Sequence, residues 1–115
     1  MTPRPLLYLA GPYTHNDPVT NTHAAAKAAT IIYAETQWVP MVPHLSLLWH
    51  LIDPQPVAHW YELDLHYLAR CVAITRMPGP STGADAEVIY ARQRGLAVID
   101  WDEMPAGAIR AWGNR

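Results

Sequence analysis

The chain reads as an α/β protein, a three-layer sandwich in which a four- to five-stranded parallel sheet lies between helices on both faces. Two observations predict this. Short apolar runs recur along the chain at Leu6–Ala10, Trp38–Val42, Val72–Thr75 and Leu96–Ile99. Between them lie longer segments whose apolar residues repeat at helical spacing, and strands that alternate with helices pair in parallel.

The first strand, Leu6–Ala10, is continuously apolar and stops at Gly11-Pro12, as a strand buried on both faces would. Tyr13 to Asn21 is polar, with turn formers at Asn16, Asp17 and Pro18. A helix follows in which Ala24, Ala28 and Ile31 share a face, and Thr20, Asn21 and Thr22 are its candidate N-caps. Pro40 and Pro43 place the second strand, Trp38–Val42, at a sheet edge. His44–Ile52 is read as a short helix, ended by Asp53-Pro54-Gln55-Pro56. The next helix spans Val57–Arg70 with Trp60, Leu63, Tyr67 and Leu68 on one face. Val72–Thr75 is the third strand, and a loop from Met77 to Pro80 follows it. The last helix, Thr82–Arg94, stops at Gly95, and Leu96–Ile99 is the fourth strand. This series is Rossmann-like or flavodoxin-like. It occupies one domain over residues 1–115, with its core at about 5–100 and a tail at 101–115. Trp112 in that tail is an interface anchor or a plain tail residue.

In such a sheet ligands bind beyond the carboxyl ends of the strands. Three loops are expected to converge there: Gly11 to Asn21, Pro43 onward, and Pro78 to Ala84.

Composition narrows the function classes. Half the residues are hydrophobic, which is enough for a core. The formal net charge of −2 argues against a protein built to grip nucleic-acid backbones. No leader pattern and no membrane-length apolar run is visible, and Cys71 is the only cysteine. A cytoplasmic protein is the expectation. Five Trp and six Tyr with no Phe suit self-association or stacking on planar ligands, besides ordinary core packing.

Pro78-Gly79-Pro80-Ser81-Thr82-Gly83-Ala84-Asp85-Ala86-Glu87 is the most informative stretch. A turn leads into a helix start whose free N–H groups and dipole favour an anion. Ser81 adds a hydroxyl, Gly83 permits close backbone approach, and Glu87 in the second turn tips toward the same mouth. Asp85 and Glu87 are equally explained as acids that complement the helix dipole. Asp64 sits among Leu63, Leu65 and Leu68, so burial would keep it protonated for acid work; a solvated surface charge is the alternative. Glu62 is read as solvated. Tyr8-Leu9-Ala10-Gly11-Pro12-Tyr13-Thr14 ends a strand in a glycine turn, where Tyr13 could cover a sugar or base. His44, just past the second strand, is a further pocket candidate. His44 and His50 are six apart and His59 and His66 seven apart, not the helical i, i+4 pair of a zinc site. Neither a G-x-G-x-x-G nor a P-loop occurs, so neither metal nor cofactor is expected. Cys71 is expected in a buried strand start, which makes it a poor nucleophile.

Taken together, these three stretches resemble the nucleoside 2-deoxyribosyltransferase family and its relatives, the deoxynucleoside-monophosphate N-glycosidases. The resemblance runs from about Tyr8 to Ile99. Tyr8–Thr14 is similar to the family's first strand and substrate loop, with Tyr8, Gly11 and Pro12 in its binding stretch. Glu62–Leu65 is similar to the helix motif whose aspartate faces substrate. Ser81–Glu87 is similar to the family's small-residue helix start, with a glutamate six positions after a polar residue.

The resemblance implies cleavage or transfer at the N-glycosidic bond of a (deoxy)nucleoside or its 5′-monophosphate. Glu87 would attack the anomeric carbon, Asp64 would serve the departing base, and Tyr13 would position Glu87 or the sugar. The transferases tend to carry an aspartate at the position of Ser81, and the monophosphate hydrolases a serine, which tilts the expected substrate toward a nucleotide. A homodimer or higher homo-oligomer is implied as well. Two departures stand out: Cys71-Val72 replaces a common aspartate, and Pro12-Tyr13-Thr14 lacks the hydrolases' phosphate-gripping arginine. A non-catalytic nucleotide-binding or sensing domain, or a structural oligomerisation module, are the alternative readings.

Overall fold

The structure, a computed structural model, describes residues 2–105. Trp112 lies outside the described residues.

Four parallel strands form the sheet: β1 (Leu6–Ala10), β2 (Val39–Met41), β3 (Ala73–Arg76) and β4 (Ala97–Ile99), in the order β2-β1-β3-β4. The helices are α1 (Pro18–Glu35), α2 (Ser46–Ile52), α3 (Val57–Leu68) and α4 (Thr82–Gln93). Single 3₁₀ turns lie at Pro43–Leu45 and Trp101–Glu103. The chain winds outward from β1 to β2, returns across the sheet through α2 and α3, and lays β3 on the other side of β1. Winding therefore reverses between β1 and β3, and the crevice of a doubly wound sheet opens at their carboxyl ends.

β1 is buried throughout from Leu7 to Ala10, and its side chains alternate between the two faces. Leu7 and Leu9 pack with Ala25, Ala28, Ile31 and Ile32 of α1. Tyr8 and Ala10 pack on the opposite face with Leu68, Ile74, Ala84 and Ala91, from α3, β3 and α4. This parity decides the site, because it sends the Tyr8 side chain to the face that carries both acidic helices.

Several boundaries differ from the sequence expectation. α1 begins at Pro18, capped by Asp17, whose carboxylate accepts from the Val19 N–H at 3.0 Å. Thr20, Asn21 and Thr22 therefore lie inside the helix. Asp-Pro serves as N-cap and first helical residue, the same pair that marks a turn. Asn21 is free to pin the preceding loop, donating to the Tyr13 and His15 carbonyls at 2.9 and 2.7 Å. β2 is an edge strand, three residues long. The expected His44–Ile52 helix is divided into the Pro43–Leu45 turn and α2, and α3 ends at Leu68. β3 runs one residue later than expected, so Arg76 belongs to the sheet. On α3 only Trp60 and Leu68 are buried; Tyr67 faces outward. Cys71 precedes β3 rather than starting it, and burial pushes its thiol up to about 11.

Arg4 secures the far end of α1. Its guanidinium donates to the carbonyls of Tyr33, Thr36, Gln37 and Trp38, satisfying acceptors a helix C-terminus leaves open.

Candidate active site

A cavity of about 290 Å³ opens at the crevice between β1 and β3, at the low end of ligand-pocket sizes of roughly 300–1,000 Å³. It gathers all three predicted loops. Gly11 and Tyr13 come from the first, His44 from the second, and Ser81 and Gly83 from the third. Asp64 on α3 and Glu87 on α4 complete it. Tyr8 and Pro12, both expected to touch the ligand, do not line it.

Tyr8 instead lies wholly buried beneath the cavity, and its hydroxyl donates to Glu87 Oε2. The resemblance gives Tyr13 a part in positioning Glu87 or the sugar; its ring lines the cavity and stands edge-on to His44 with centroids 6.0 Å apart. Burial and the neighbouring Glu87 charge push the Tyr8 hydroxyl far above its ordinary value, so it remains a donor. Pro12 works through its carbonyl, which accepts from His44 Nε2 at 3.0 Å. His44 is buried, and burial depresses its pKa against the pull of the Pro12 and Gly11 carbonyls. It is therefore a neutral Nε2–H imidazole that ties the exits of β1 and β2 together.

The two carboxyl groups share an environment. Burial raises Glu87 to about 7, offset in part by the Tyr8 hydrogen bond. Burial and the Glu87 charge raise Asp64 to about 7. The Asp64 Oδ1 is buried without a hydrogen-bond partner in the protein. Two such groups lose their protons in successive steps. The Tyr8 hydroxyl stabilises a charge on Glu87 and nothing comparable reaches Asp64. The singly protonated state is thus Glu87 carboxylate beside Asp64 carboxylic acid.

α4 is capped by Ser81, whose hydroxyl oxygen accepts from the Ala84 N–H at 3.0 Å. The Asp85 N–H donates to the Ser81 carbonyl at 3.1 Å. The cap thus satisfies the Ala84 amide, and Thr82 and Gly83 before it line the cavity. Gly11 has a packing reason beyond any ligand, since a Cβ there would lie 3.0 Å from that of Met77.

Sequence reasoning missed the outer wall, formed by Trp60, Tyr61 and Val57 with Ser46. Trp60 does lie on the inward face of its helix, as expected, and its indole N–H donates to His50 Nδ1 at 2.8 Å. Helical spacing identifies that face but not that part of it borders a cavity. Among the described residues no cluster of His, Cys, Asp or Glu has the makings of a metal site. Likewise no described helix is long and apolar enough to cross a membrane.

The fold and site define the class: an α/β protein with a doubly wound parallel sheet and a carboxyl pair at its crevice. No family model and no curated protein matches the chain.

Proposed function

We propose that the protein cleaves or transfers the N-glycosidic bond of a (deoxy)nucleoside or its 5′-monophosphate, with Glu87 as nucleophile. The observation that carries this reading is the pairing in one cavity of Glu87, hydrogen-bonded to Tyr8, with Asp64, whose Oδ1 is buried without a partner in the protein. Attack of the Glu87 carboxylate on the anomeric carbon breaks the bond to the base and forms a glycosyl ester. Asp64 gives its proton to the departing base. Water or a second base then attacks the ester, releasing Glu87, and the configuration at the anomeric carbon is retained. The tilt toward a monophosphate rests on Ser81, with Thr82 and Gly83 of the same helix start lining the cavity beside it. Its described lining contains neither Arg nor Lys, so a nucleoside stays within the proposal.

The proposal places the enzyme in the reducing cytosol, where Cys71 would stay a thiol, and includes a homodimer or higher oligomer. Supporting self-association, α2 buries none of its residues although it carries Leu48, Trp49, Leu51 and Ile52. A continuous apolar helix face in water is a mark of an interface.

The test is incubation with deoxynucleosides and their monophosphates while free base is measured. Release of base supports the reading. Ligands that raise the melting temperature without releasing base would leave a non-catalytic binding domain, and neither response would leave an oligomerisation module.

Tyr8→Phe probes the proton arrangement. A hydrogen bond to a charged group contributes about 1.5–3 kcal/mol, so turnover should fall roughly 10- to 100-fold. Without the hydroxyl Glu87 ionises at higher pH, so the acid limb of the pH–rate profile should move upward. The alkaline limb, set by Asp64, should move less. Profiles of kcat/KM for both proteins between about pH 5 and 9 would show it.

A further inference from the structure

Arg76 lies outside the cavity lining, yet its guanidinium spans the neck of the loop that ends in α4. Nη1 donates to the Met77 carbonyl at 2.7 Å, and Nη2 to the Ser81 carbonyl at 3.3 Å. Nε and Nη2 lie 3.0 and 2.9 Å from Asp85 Oδ1. The end of β3 is thereby fixed both to the N-cap residue of α4 and to its first turn. Parity explains the reach: Arg76 is two residues from Ile74, which packs on the α3–α4 face.

Helix stability alone does not account for this arrangement. A cation at a helix N-terminus opposes the helix dipole. The pair with Asp85, whose side chain is 65% exposed, is of the kind that contributes about 0–1 kcal/mol. What the fork supplies is geometry, because a planar guanidinium can hold three acceptors in fixed relation and an ammonium cannot. α4 is capped by Ser81 and carries Glu87 in its second turn, whereas Tyr8 stands on β1, hydrogen-bonded in register with β3. The position of α4 against β3 therefore sets where Glu87 meets Tyr8 and the reacting carbon.

We propose that Arg76 is a second positioning residue of this site beside Tyr8, locking the register of α4 so that Glu87 is held for attack. The inference rests on the glycosidic reading for its kinetic consequence, but its structural content does not.

Arg76→Ala and Arg76→Lys are compared with the natural chain at a temperature where circular dichroism shows all three fully folded. Misplacing a reacting group by about 1 Å costs on the order of 100-fold, so kcat in Arg76→Ala should drop about 10- to 100-fold. Arg76→Lys should fail to restore it, and added guanidinium should rescue Arg76→Ala. A role in stability alone would lower the melting temperature and leave kcat of the folded protein within about twofold, which would overturn the proposal. Hydrogen exchange at the Ala84 and Asp85 amides needs no substrate. Faster exchange in Arg76→Ala supports the lock even if no glycoside is cleaved. Unchanged exchange overturns it whatever the activity.

Discussion

Glu87→Gln is expected to lose at least roughly 10,000-fold in turnover, the scale seen when a covalent nucleophile is removed, and to melt higher than the natural chain above about pH 7. Both effects have one cause. The glutamine introduced by this change still accepts from Tyr8 through its amide oxygen, so the packing survives. The amide cannot form a glycosyl ester that turns over, so the chemistry does not survive. On the stability side, the Glu87 carboxyl titrates at about 7 in the folded protein against 4.5 as its ordinary value. Below pH 4.5 both folded and unfolded chains hold the proton and the group is neutral toward stability. As pH rises from 4.5 to about 7 the unfolded chain loses the proton first, and stability falls with pH. Above about 7 the full cost of a half-buried carboxylate is present, and glutamine removes it. Thermal melts at about pH 4 and about pH 8 check this, with a gain of several degrees expected at the higher pH and none at the lower. Retained turnover would end the nucleophile assignment. Equal melting temperatures on the alkaline side would remove the claim that Glu87 is held against its solvation.

Gly79→Ala should cost about 1–3 kcal/mol of stability, several degrees in melting temperature, from one methyl group. Gly79 has a φ of +117°, where side chains are strained, and a Cβ there would lie 2.9 Å from Cγ of Pro12. Relief would require the first and third loops to separate. Activity should fall too, because the Pro12 carbonyl holds His44 in the cavity wall. Gly95→Ala is the control. That residue also has a positive φ, +74°, but nothing lies within 4 Å of a Cβ there, so alanine brings backbone strain without a clash. A smaller fall in melting temperature for Gly95→Ala than for Gly79→Ala would separate loop packing from backbone strain. Equal losses in the two would show that strain alone accounts for the effect.

Much of the site is legible in the sequence because local chemistry marks it. Ser81 before a helix start, glycine at the end of a first strand and an acid among leucines each carry a local reason for being where they are. The start of α1 is ambiguous because Asp17-Pro18 is both a turn signal and a cap signal, and only the continuation of the chain distinguishes them. Arg76 gives no sign, since a basic residue at a strand end has many ordinary uses. Trp60 and Tyr61 do not announce a cavity wall, because an aromatic on an amphipathic helix looks alike whether it faces a core or a pocket.

Periodicity and turn chemistry act over a few residues, and they suffice for the α/β class, the alternation of strands with helices and the three loops at one sheet edge. Tertiary packing alone establishes that Tyr8, 79 positions away, hydrogen-bonds Glu87. Strand parity sends Tyr8 to the face of α3 and α4, and the return of the chain across the sheet puts both acids there. The burial that raises Asp64 and Glu87 together is likewise a property of that packed face, since a carboxyl group's solvation is set by every element around it.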